Sequence, residues 1–212
     1  MFAELVDGIL WDIALAVFVI GVIGRLVAIL LAGTRPDLAE PRRPGTRGAL
    51  RTVFRRFLPR REMWPRIRLH VLAGYLFHVG LFVLLLFAAP HVAFVEAHLG
   101  VGWATLPHWG FELAAEMALG GLLVLWLLRV ASPVSRLISR ADDHVAAILV
   151  FVVMLTGCMA LAESFEGLRV LHFFMVELLM LYFPFSRLMH TFTFVFSRAW
   201  TGAAFARHGV DA

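Results

Sequence analysis

The sequence predicts an all-α integral membrane protein, a bundle of five transmembrane helices with the N-terminus outside and the C-terminus cytoplasmic. Three observations carry that expectation. First, 61% of the 212 residues are hydrophobic and only 16% are charged, with a mean hydropathy of +0.84. Soluble domains are roughly 45–50% apolar and about 25% charged, so a soluble globule, a disordered chain and a solvated coiled coil are excluded. Second, five mostly apolar stretches of about 20 residues are each long enough to cross a bilayer. Third, the arginines alternate between connections in the way one topology requires. The spans leave no room for a separate soluble domain, so residues 1–212 read as one membrane domain.

The first span runs from about Leu10 to Ala32. Glu4, Asp7 and Asp12 stand at its start with no basic residue, unlike the positive start of a secretory signal, so a retained helix is expected. The second runs from about Leu69 to Ala89 and stops at Pro90. The third covers about Glu112 to Val130, the fourth about His144 to Ala162, and the fifth about Leu168 to Phe194. None alternates as a strand does, and only helices and closed barrels satisfy their backbone in lipid.

All 19 basic residues are arginine. Eleven fall in the connection 33–68: Arg35, Arg42, Arg43, Arg47, Arg51, Arg55, Arg56, Arg60, Arg61, Arg66 and Arg68. Arg136 and Arg140 follow the third span, with Arg129 at its edge, and Arg198 and Arg207 lie in the tail. His91–Phe111 and Glu163–Gly167 contain none. The positive-inside rule makes the Arg-rich connections cytoplasmic. Trp11, Trp64, Trp103, Trp109 and Trp200 fall near the expected interfaces, as an aromatic belt does. Within the first connection, apolar residues at 50, 53, 54, 57 and 58 have helical spacing with arginines opposite. Such a helix lies on anionic headgroups or docks a soluble subunit. Charge tied to a membrane face argues against nucleic acid.

Cys158 is the sole cysteine, which excludes intramolecular disulfides, four-cysteine iron–sulfur ligation and C-x-x-C-H haem attachment; an apolar neighbourhood makes it core filler. Histidine is the more informative residue. His172 and His190 are 18 residues apart, five turns of one helix, so both leave one face about 27 Å apart. One hydrogen bond satisfies a chance core histidine, but two in register at opposite depths are expected as axial ligands of two stacked haems. Facing histidines are then required on the second span. His78 is the expected partner of His190, and His91 of His172, while His70 reads as interfacial. An ideal helix turns His91 about 140° from His78, and Pro90 is the residue able to re-aim it.

Several strings resemble the gamma subunit of respiratory nitrate reductase. They are Tyr75-Leu76-Phe77-His78-Val79-Gly80, then Leu171-His172, and above all Phe183-Pro184-Phe185-Ser186-Arg187-Leu188-Met189-His190. Asp12 with Arg25, and Ala141-Asp142 ahead of Thr156-Gly157, also sit where that pattern places them. The resemblance covers nearly the whole chain. It implies a five-helix, di-haem b, quinol-oxidising cytochrome. His78 and His190 would ligate the cytoplasm-proximal haem and His172 the outer one. The family's second histidine on this span comes ten residues after the first, and position 88 here is Ala88. Either His91 substitutes or the outer site is altered, which marks a divergent relative serving another oxidoreductase.

The remaining expectations follow. Arg187 precedes His190 by three residues and is a candidate partner for a haem propionate or a positive-inside anchor. Arg66 and Arg68 are weaker candidates, and Arg25 reads as snorkelling. Glu116 and Glu177 are intramembrane carboxylates, candidates for accepting quinol protons or for hydrogen bonding between helices. His98 and His108 read as solvated, His144 as flanking the fourth span, and His208 as tail. The function expected is a cytochrome b subunit in a bacterial or archaeal cytoplasmic membrane. It would pass electrons between quinone and a soluble iron–sulfur or other redox subunit at the cytoplasmic face. A haem-poor membrane anchor or assembly subunit is the alternative. A proton-relaying transporter lacks the internal repeat and broken helices it would need.

Overall fold

A computed structural model describes residues 2–33, 40–162 and 167–210. The described residues are helical, with no strand among them. Five helical stretches are long and apolar enough to cross a membrane: Ala3–Leu31, Trp64–Phe87, His108–Ala131, Ala141–Leu161 and Gly167–Phe185. Their outward faces carry uncovered apolar side chains such as Ile20, 71% exposed, and Leu85, 54% exposed. Helices whose solvent is lipid have this distribution, because nothing drives those residues inward.

In order, the helices are α1 (Phe2–Leu5), α2 (Trp11–Leu31), α3 (Gly45–Arg55), α4 (Trp64–Phe87), α5 (Ala89–Leu99), α6 (His108–Ala131), α7 (Pro133–Ile138), α8 (Ala141–Leu161), α9 (Gly167–Tyr182) and α10 (His190–Arg207). A π-helical turn, Val6–Leu10, joins α1 to α2, with Gly8 off the helical conformation. The boundaries follow local chemistry. Pro107 precedes α6, the Ser132 hydroxyl accepts from Ser135 N to start α7, and an Asp143 carboxylate oxygen accepts from Arg140 N at 2.8 Å to start α8. Arg35 and most of the connection Glu163–Gly167 lie outside the described residues.

The chain divides into two compact units. The first holds residues 1–11 and 66–179. There α4 and α6 meet through small residues. A Cβ on Gly80 would stand 2.6 Å from Ala114 O, and one on Gly121 would stand 2.5 Å from Phe77 N. Close backbone approach of this kind is how helices associate where lipid removes the hydrophobic drive.

The second unit holds residues 12–65 and 180–212. Its α3 packs on α10 along an equally small seam, where Gly48 meets Gly202 and Ala206, and Thr52, 2% exposed, meets Gly202. Arg42 N donates to Arg207 O at 2.8 Å, and the Arg198 guanidinium lies 4.5 Å from the Phe57 ring centroid. The helix expected from its apolar stripe is therefore present, but its buried face is Gly48 and Thr52, while Leu50 and Phe54 stay exposed at 65% and 69%.

The fifth span departs from the single helix expected over 168–194. α9 ends at Tyr182; a 3-10 turn Phe183–Phe185 and a second, Arg187–Met189, precede α10. Pro184 lacks the N–H that helix continuation needs, and Ser186 is extended (φ −107, ψ 175) with its hydroxyl accepting from Leu188 N. Gly21 gives Pro184 its room, since a Cβ there would lie 2.6 Å from the proline ring. His172 and His190 therefore belong to different helices, and a separation of five turns on one face does not apply to them.

Candidate haem-ligand site

The break between α4 and α5 builds the site. Ala88 leaves the helix with ψ 133, against about −42° in an α-helix, so the chain restarts in a new direction at Ala89. Pro90 has no N–H for Leu86 O, and His91 N turns to Ala88 O at 3.0 Å. Other donors take the released carbonyls. Trp103 Nε1 donates to Leu86 O at 2.7 Å, and Leu106 N to Phe87 O at 2.9 Å. His91 Nδ1 lies 3.0 Å from Leu84 O and 3.1 Å from Leu85 O. Buried or lipid-facing backbone must be paired, and here the pairing fixes the corner. Trp103, read from sequence as a belt residue, caps this helix end.

The new direction brings His91 to His172. Their ring centroids are 6.4 Å apart and their planes 21° from parallel. Two imidazoles this close are a donor pair that one first-row metal, bound at about 2.0 Å from a nitrogen of each, would accept. Both rings are half-buried.

Tautomers follow from the partners. A carbonyl only accepts, so His91 Nδ1 carries a proton and donates it. The Thr156 hydroxyl donates to Val152 O at 2.8 Å and Val153 O at 3.0 Å. Its oxygen, 3.3 Å from His172 Nδ1, therefore accepts from that nitrogen. In each ring Nε2 is left as the lone-pair nitrogen, the form that binds iron, with Nδ1–H oriented by an acceptor. His78 Nδ1 likewise lies 2.7 Å from Gly74 O, and His190 Nδ1 lies 2.8 Å from Arg187 O. His98 makes the same bond to Phe94 O. The tautomer alone is thus no ligand signature, and the paired geometry of His91 and His172 is what singles them out.

The Phe173 ring stands edge-on to His172 at 6.4 Å and belongs to an aromatic cluster. Trp11 lies 5.4 Å from Phe94 and 5.9 Å from Phe173, centroid to centroid, and the Arg169 guanidinium sits 5.6 Å from the Phe173 centroid. Arg169 was no sequence candidate. Its signal is a repeated spacing: it stands three residues before His172, as Arg187 stands three before His190.

His78 lies in the first unit, and His190 and Arg187 in the second. All three are exposed. Glu177 on α9 is fully buried, whereas Glu116 on α6 is exposed. His144 sits in the first turn of α8 and accepts from Trp126 Nε1 at 3.2 Å. His98 lies on α5 rather than in a loop, and His108 opens α6 beside Glu112 at 3.3 Å. No group of three or more metal-ligating side chains of the His, Cys, Asp and Glu type is found among the described residues. Two facing imidazoles are the donor set a haem requires, because the porphyrin supplies the other four nitrogens.

No protein-family profile matches the chain, and no solved structure does. Two relatives are similar over most of its length. One is a protein of Nitratidesulfovibrio vulgaris, 25% identical over 217 residues, covering 97% of this chain and 94% of that one. The other is the Hdr-like menaquinol oxidoreductase cytochrome b-like subunit of Archaeoglobus fulgidus, 26% identical over 250 residues, covering 84% of this chain and 73% of that one.

Proposed function

We propose that this chain is the membrane cytochrome b subunit of a quinol oxidoreductase complex, exchanging electrons between the quinone pool and a soluble redox partner. The observation that carries the reading is the His91–His172 pair, whose close approach and tautomers would suit two protein ligands of one iron. Likeness to a menaquinol oxidoreductase cytochrome b-like subunit over 84% of the chain supports it. His91 then takes the place of the histidine that Ala88 lacks, and His78 and His190 hold a second, cytoplasm-proximal haem. The terminal substrate belongs to the partner, and the nitrate reductase gamma resemblance is kept only as a ligand pattern.

When bound, haem b supplies reversible one-electron chemistry. The residues of this chain do the rest. His91 and His172 present lone-pair nitrogens held in orientation by backbone and hydroxyl acceptors. Arg187 and Arg169, each one turn before a ligand histidine, offer guanidinium groups to propionate carboxylates. Glu177, buried on α9, accepts a proton from quinol, and Glu116 is the second candidate for that role. Arginine-rich connections hold the cytoplasmic side and face the partner, an iron–sulfur or other redox subunit. The N-terminus lies outside a bacterial or archaeal cytoplasmic membrane. Electron delivery across the low-dielectric span then couples the reaction to the membrane potential.

Haem content decides between this reading and the haem-poor anchor. Purified protein is expected to hold two b haems per chain, both reducible by a menaquinol analogue. Colourless protein with intact helical structure refutes the reading in favour of the anchor.

A further inference from the structure

Thr156 and Gly157 stand consecutively on α8 and both touch the His172 ring, in different ways. Thr156 is 5% exposed. Its single hydroxyl proton is committed to the carbonyls one turn back, so its oxygen offers only an acceptor to His172 Nδ1. A hydroxyl already donating is a better acceptor than an isolated one. Gly157 covers the same ring from above: an added Cβ would lie 2.9 Å from His172 Cε1, 3.3 Å from Nδ1 and 3.4 Å from Nε2. No side chain other than hydrogen leaves the ring where it is.

We propose that Thr156 and Gly157 are the positioning residues of the outer haem site. Thr156 fixes the His172 tautomer and tunes the electron density at Nε2, and Gly157 fixes the ring's plane against α8. The two partners of the pair are then unequal: His91 Nδ1 faces backbone carbonyls alone, whereas the His172 ring has the Thr156 hydroxyl beside the Val153 carbonyl, and the hydroxyl is the acceptor that a point mutation can remove. The inference rests on the reading of His172 as a haem ligand, and its test separates the two.

The full chain is purified as wild type, Thr156→Val, Thr156→Ser and Gly157→Ala, and each is titrated for haem midpoint potentials and low-spin EPR spectra. Thr156→Val keeps the volume and removes the acceptor, so Nε2 donates less to ferric iron and the outer midpoint rises. The oxidised-to-reduced ratio at a fixed potential falls about tenfold, which is 59 mV for one electron. Thr156→Ser returns it to within about twofold, on the same scale. Gly157→Ala shifts the outer EPR signal and weakens haem retention about 10–100-fold. The second haem keeps its midpoint in all variants, which shows the fold is intact. An unchanged midpoint and EPR signal in Thr156→Val overturns the proposal, as does loss of the outer haem from Thr156→Ser. Wild-type protein without an outer haem overturns the functional reading instead. In that sample the 15N resonances of His172 decide the proposal: a proton on Nδ1 supports it and one on Nε2 overturns it.

Discussion

If His91 and His172 hold one iron between them, deleting either must remove the same haem. The perturbations are His91→Leu, His172→Leu and the double variant. The expected magnitude comes from the geometry. With centroids 6.4 Å apart, each ring would supply one of the two protein ligands of the same iron. Low-spin haem falls from two to one per chain in each single variant and stays at one in the double. The second substitution then costs nothing further, the extreme non-additivity expected of residues that act as a unit. Haem is counted by pyridine haemochrome against protein, and its spin state by EPR. The ring planes add a spectral expectation. Imidazoles 21° from parallel donate π density into the same iron orbital, which splits the d levels and gives a rhombic low-spin spectrum. Perpendicular planes would equalise those levels and give a strongly anisotropic one. Two low-spin haems surviving His91→Leu, or two lost from the double variant, would refute the shared-metal argument.

Three further outcomes are expected. Trp103→Phe keeps the ring and removes the donor to Leu86 O; with Trp103 partly exposed, the loss is about 1 kcal/mol, read as a lower thermal midpoint in which the outer haem leaves before the other. Gly48→Leu forces a side chain into the Gly202 and Ala206 backbone seam, costs about 1–3 kcal/mol of overpacking, and exposes the 40–62 segment to limited proteolysis while the haem content is unchanged. Glu177→Gln preserves shape and removes the proton acceptor, so haem reduction by a quinol analogue slows about 10²-fold while dithionite reduction, which needs no proton acceptor, is unchanged; equal slowing of both would make Glu177 structural.

The five spans were legible because a bilayer imposes length and apolarity on any helix that crosses it, and Leu, Val and Phe runs report both. Their ends were less so. α4 begins at Trp64 rather than near Leu69 because Arg66 and Arg68 are good helix formers that a hydropathy reading discounts. The corner at Pro90 follows from its missing N–H, and the direction of the new helix depends on Trp103 and Leu106, residues 13 and 16 positions later that periodicity does not connect to it. Counting five turns between His172 and His190 failed for the same reason in reverse: helical phase is carried through a segment only if no residue leaves the helix, and Ser186 does. Thr156 and Gly157 were visible only as a matched dipeptide. Their contact with His172 depends on how α8 meets α9, which no single-helix pattern encodes.

Two of the four histidines proposed as iron ligands stand within the first turn after a proline-bearing break. A break releases carbonyls that lipid cannot satisfy. A histidine just beyond it can donate Nδ1–H to a nearby carbonyl: His91 to Leu85 O and to Leu84 O, which also accepts from Ala88 N, and His190 to Arg187 O, which also accepts from His190 N. Each such bond selects the tautomer whose Nε2 keeps its lone pair, and it holds the ring in orientation. His78, mid-helix on α4, reaches the same state through Gly74 O, and His172, on an unbroken α9, borrows its acceptor from α8 instead. Of the four proposed ligands, His172 is therefore the one held from a neighbouring helix, by the Thr156 hydroxyl and the Val153 carbonyl, so a change in packing between those spans would act most directly on the proposed outer site.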